Sequence, residues 1–132
     1  MTAQVVTYPV VSKKEGLTKI QISFASTDAG AVVGAVVTDA NGAARYVTGP
    51  LIGWAMYPDP TTTTPTAAFT FTVKDDDGVD LLNGLGAGTS TATAQVIKGY
   101  SDCPAIAWNT KLTFAAAAMG DAKHALLNLY FG

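Results

Sequence analysis

Only 14% of the 132 residues carry a charged side chain, against about 25% in typical domains. The sequence has one cysteine (Cys103), one histidine (His124) and one glutamate (Glu15). A single cysteine forms no internal disulfide, so no oxidised framework holds the fold. Zinc needs more Cys or His ligands than the chain provides, and Cys103 and His124 would have to meet in space to act as a nucleophile and base. Charge of one sign is also missing: the formal net charge is −2. The basic residues are scattered from Lys13 to Lys123 and form no stripe with aromatics, which argues against a nucleic-acid partner. Long apolar runs are absent too. Leu112 to Gly120 has nine residues, and the longest uncharged stretch, Leu81 to Ile97, has 17 and is rich in Gly, Ser and Thr; a spanning helix needs about 20 apolar residues. Gly84-Leu85-Gly86-Ala87-Gly88 has neither the following helix nor the lysine of a phosphate-binding loop. The expectation is a protein with no cofactor, no metal and no enzymatic activity, and with neither nucleic acid nor membrane as partner.

Hydrophobic residues make up 48% of the chain, which is too many for disorder. The length suits one domain with one core, so residues 1–132 are read as a single unit. Alternation with period two dominates. Ile20, Ile22 and Phe24 alternate with Lys19, Gln21 and Ser23, so three large apolar side chains share a face. Phe69, Phe71 and Val73 alternate with Thr70 and Thr72. Leu112, Phe114 and Ala116 do the same within 111–117. Further strands are expected over 31–38, 46–57, 79–82, 91–97 and 123–131. Pro50 and Gly53 mark bulge or edge points in the long 46–57 segment. Asn41-Gly42 supplies the backbone of a tight hairpin turn. Residues 58–66 contain three prolines and four consecutive threonines (61–64). Proline cannot donate to a ladder and threonine favours extended backbone, so a stiff, exposed loop is expected. About eight or nine strands at short, regular spacing predict an all-β fold, an antiparallel, jelly-roll-like β-sandwich. Short helices starting at Ala115 or Asp121 are the weaker alternative.

Asp75, Asp76, Asp77 and Asp80 form the densest charge. Clustered carboxylates suit a hard cation, but from Asp75 the fifth position is Val79 and the twelfth Gly86, so the EF-hand spacing fails. A polar turn explains the cluster better. Residues 1–14 lack the basic start of a secretory signal. With the free cysteine, that predicts maturation in the cytoplasm. Residues 1–12 read as an extended arm or edge strand. The low charge leaves Thr, Ala, Gly and Ser to cover much of the surface. Such a surface suits lasting contact with other protein, and equally a compact β-protein with Thr-rich outer faces. The tryptophans fit either a core or an interface. Together with Tyr57 and Tyr100, Trp54 and Trp108 could also line a sugar-binding face.

Tyr57-Pro58-Asp59-Pro60 leads through the Thr/Pro loop into Phe69-Thr70-Phe71-Thr72-Val73-Lys74-Asp75-Asp76-Asp77-Gly78-Val79-Asp80. Lys111-Leu112-Thr113-Phe114 and a closing Leu127-Asn128-Leu129-Tyr130-Phe131 follow. This order of an aromatic-led strand, an acidic turn and a closing strand that ends in Tyr resembles small structural proteins of tailed-bacteriophage virions. In size and all-β character the chain is similar to the cement (decoration) proteins of their capsids. The resemblance implies a structural virion protein, made in the host cytoplasm, that bridges and stabilises major capsid protein subunits, as a homodimer or homotrimer. A tail, neck or baseplate component is the alternative within the virion. A carbohydrate-binding β-sandwich is the alternative of another class. Contact residues are expected on the arm (Val5, Val6, Tyr8), on the stiff loop (Pro60, Thr62, Thr64) and at the aromatics Trp54, Tyr57, Tyr100 and Trp108.

Overall fold

A computed structural model describes residues 5–7, 11–14, 17–38, 41–59, 63, 65, 69–82, 95–98 and 106–132. Among them are ten strands and no helix: β1 (Val5–Thr7), β2 (Val11–Lys14), β3 (Leu17–Ala25), β4 (Val32–Val36), β5 (Tyr46–Pro58), β6 (Thr70–Lys74), β7 (Gln95–Lys98), β8 (Ile106–Lys111), β9 (Thr113–Ala117) and β10 (His124–Phe131). Every pairing is antiparallel. The larger sheet runs β1-β3-β10-β5-β7, with β2 also on β3 and β8 also on β5; the smaller runs β4-β9-β6. The expected antiparallel β-sandwich is therefore the observed architecture.

Strands from the two ends of the sequence form the centre of the larger sheet. β10 lies between β3 and β5, pairing Phe131 with Thr18 on one side and Leu127 with Met56 on the other. The edges of this sheet are each made of two collinear pieces. β2 and β1 follow one another along β3, and β7 and β8 follow one another along β5.

Alternation decides what is buried. Ile20, Ile22 and Phe24 of β3 meet Leu127, Leu129 and Phe131 of β10 in one buried cluster with Phe69, Phe71 and Val73. Aromatic pairs join the layers. Phe24 of the larger sheet lies 4.5 Å from Phe114 of the smaller, ring centroid to centroid. Trp54 meets Phe71 edge-on at 5.1 Å and 86°. Such pairs add about 0.5–1.5 kcal/mol to the burial itself. On the outer face Gln21 Nε2 donates to Asn128 Oδ1 at 3.0 Å, which satisfies a buried amide.

Three expectations are corrected. Residues 111–117 are not one strand. The chain turns at buried Leu112, leaving β8 in the larger sheet and β9 in the smaller, and the Val37 N–H donates to the Leu112 carbonyl at that corner. Such sheet-switching bends are how a sandwich closes at an end. Nor do residues 79–82 form a strand. Asp80 makes a single bridge to Lys74, and its Oδ1 accepts the N–H groups of Val73 at 3.2 Å and Leu82 at 3.1 Å. That curls Leu81 and Leu82 inward, where both are buried. The Pro/Thr loop is docked where the structure describes it. Thr63 hydrogen-bonds the Asp59 carboxylate through its hydroxyl and its N–H, its carbonyl accepts the His124 N–H at 2.9 Å, and Pro65 is buried.

Candidate binding surface

Between β5 and β8 the register skips. Val47 pairs with Thr110 and Gly49 with Ala107. One residue of β5, Thr48, therefore stands opposite two of β8, Trp108 and Asn109. Two against one is a β-bulge, a device that re-aims side chains at sheet edges. Asn109 takes the extra bend with φ 44°, a left-handed conformation that asparagine tolerates better than most residues. Its N–H donates to Thr48 Oγ1 at 2.9 Å.

The bulge sorts the side chains. Val47, Ala107 and Thr110 are buried. Trp108, Ile106 and Tyr46 are on the surface, 79%, 64% and 59% exposed. Pro50 is opposite Ile106 and Lys111 opposite Tyr46. Lys111 Nζ is 4.0 Å from Asp76 Oδ1, a half-exposed pair that adds little stability but neutralises the charge beside the strip. The result is a band of Trp, Ile, Tyr and Pro with Thr48 and Asn109 among them and the Lys111–Asp76 pair at one end.

Gly49 holds the base of this band. Its φ is 136°, and a Cβ there would lie 2.3 Å from the carbonyl oxygen of Gly132. Only glycine permits that approach, and the Gly132 N–H donates to the Pro50 carbonyl at 2.9 Å. The final residue thus braces β5 beside the bulge.

The other candidates are dispersed. Trp54 is 2% exposed and stacked on Phe71, so it belongs to the core and offers nothing to a partner. Tyr57 is exposed, but it sits nine positions along β5 from Thr48, roughly 30 Å at strand rise. A sugar face built from Trp54, Tyr57 and Trp108 together is therefore not assembled. Val6 is half-buried against the core. Val5 pairs with Ala25. Tyr8, Pro60, Thr62, Thr64, Tyr100 and Cys103 lie outside the described residues. Tyr46 and Ile106 join Trp108 without having been foreseen. The available signal was their place one step outside the buried Val47 and Ala107, which is readable only once the bulge is known.

The polar residues have structural work. Asp75 Oδ1 accepts the N–H groups of Asp77 at 2.9 Å and Val79 at 3.0 Å. Asp76 Oδ2 accepts the Lys111 N–H at 3.3 Å, and the Asp76 N–H donates to Thr110 Oγ1 at 2.8 Å. The acidic turn is thereby tied to the end of β8. Among the described residues no three His, Cys, Asp or Glu side chains are grouped to hold a metal. The His124 side chain is exposed at the start of β10.

Comparison with family models, curated proteins and solved structures finds no match.

Proposed function

We propose that this chain is a structural virion protein, a capsid cement protein that bridges and stabilises neighbouring major capsid protein subunits. It is made in the host cytoplasm, carried in the particle and works as a dimer or trimer. The observation that carries this reading is the Trp108–Ile106–Tyr46 band. Single exposed apolar residues are ordinary, whereas adjacent ones on a rigid ladder mark a contact surface. A tryptophan held out by a bulge has few rotamers to lose on docking, as the anchors of protein interfaces do. The resemblance of the strand and turn order in the sequence to small virion proteins supports the same reading, as does the low charge. Repeated over a shell, such modest contacts gain strength because each is already tethered beside the next.

The test uses purified particles and particles stripped of this protein. Copies in the hundreds per particle, and a raised disruption temperature when the protein is added back, are expected. A handful of copies would move the protein to the tail, neck or baseplate. Trp108→Ala should weaken shell binding by about 2 kcal/mol, roughly 30-fold. Addition that leaves the disruption temperature unchanged would overturn the cement role.

One observation favours a second reading. Trp108 and Tyr46 expose their rings on one ladder, with Thr48 and Asn109 beside them as hydrogen-bonding groups, an arrangement that suits a neutral saccharide. Quenching or shifting of tryptophan fluorescence by sugars in the absence of any capsid would support that reading over the first.

A further inference from the structure

The two pieces of the N-terminal arm are held in unequal ways. β2 joins β3 through residues 15 and 16 alone, with Lys14 paired to Leu17. So short a connection leaves β2 no choice of partner. β1 has no such turn. Val5, Val6 and Thr7 pair with Ala25, Phe24 and Ser23, and they are joined to β2 only through residues 8–10, which include Pro9. Thr7 stands opposite Ser23 and Val11 opposite Ile20. Gln21 and Ile22 of β3 lie between the two registered stretches. The other edge of β3 is paired by β10 along Thr18–Ala25, so the edge that receives β1 stays formed whether or not β1 lies on it.

What holds β1, the edge at 23–25, the core side chains against Val6 and the neighbouring β4, is present on every copy of this chain. We propose that two copies exchange β1, each placing Val5–Thr7 on residues 23–25 of the other's β3. The contacts are those made within one chain, so the receiving surface is complementary by identity and only the connection changes. Such exchange is a low-cost route to a symmetric dimer, and crowding favours it by raising the local concentration of the second edge. Four backbone steps separate Thr7 from Val11 and span at most about 14 Å. The two β3 edges must therefore lie side by side, with the two-fold axis between the copies' Val11 residues. The exchange rests on strand pairing alone and stands or falls separately from the virion reading.

Cross-linking tests it. In a Cys103→Ser background, chains carrying Thr7→Cys and chains carrying Ser23→Cys are mixed at high concentration, refolded together and treated with a short bismaleimide. A covalent heterodimer is expected, in clear excess over that formed when the Thr7→Cys chain is mixed with a Tyr57→Cys control. A chain carrying both cysteines should give linked dimers as well. The proposal is overturned if the double variant closes only on itself, or if the mixed chains yield no more heterodimer than the control.

Discussion

Trp54 and Trp108 stand on paired strands of one sheet and have opposite fates. Trp54 falls on the inward phase of β5, where Phe71 from the other layer receives its ring edge-on. Trp108 is the first residue of a bulge and points to solvent. Composition and β-propensity treat the two alike. The difference lies in phase: a one-residue slip of pairing moves a side chain from one face of a sheet to the other. The interior tryptophan should matter to stability and the surface one to recognition.

The sharpest way to break this contrast is Trp54→Ala. It should cost about 3–5 kcal/mol, the range for deleting a buried large aromatic, read as a lower midpoint in urea; a loss below about 1 kcal/mol would mean that the two layers are not joined there. Gly49→Ala comes next, at about 3 kcal/mol for a forced backbone and a blocked approach. Removing Gly132 from that variant should restore part of the loss, because the carbonyl that meets the new Cβ goes with it. Asp80→Ala should cost about 1–3 kcal/mol by leaving the Val73 and Leu82 N–H groups without their acceptor, whereas Asp80→Asn, which keeps an acceptor oxygen, should recover most of it. Trp108→Ala is the smallest effect, within about 0.5 kcal/mol as for surface positions generally. Iodide should quench the wild-type emission in two classes, and the accessible class should vanish in Trp108→Ala. A Trp108→Ala protein as damaged as Trp54→Ala would show that the band is part of the core.

Much of the sandwich was legible beforehand because burial on one side imposes period two. Ile20-Ile22-Phe24, Phe69-Phe71-Val73 and Leu112-Phe114-Ala116 all face inward as their alternation requires. Gly42 turns at φ 82° after Asn41. Pro50 and Gly53 mark bulge or edge points in the long β5. Its register shifts fall beside them, between Val47 and Gly49 and opposite Tyr130 and Phe131. The corner at Leu112 was not legible, since alternation runs through it without a break. Among the described residues the arm gives two short strands and residues 106–111 a further one, while residues 79–82 give none. The inward turn at Leu81 was hidden as well: Val79 to Leu82 reads as strand until the Asp80 carboxylate takes two backbone N–H groups. Of the binding surface, only Trp108 was named.

Local chemistry determined which segments extend, where they turn and which side chains cluster inward, because these depend on spacing along the chain and on the backbone preferences of single residues. Only the tertiary structure decided that β10 lies between β3 and β5, that the chain changes sheets at Leu112, and that Trp108 and not Trp54 reaches solvent. Those outcomes depend on which distant strand supplies the pairing partner and in what register, and a strand's own sequence carries no unique label for its neighbour.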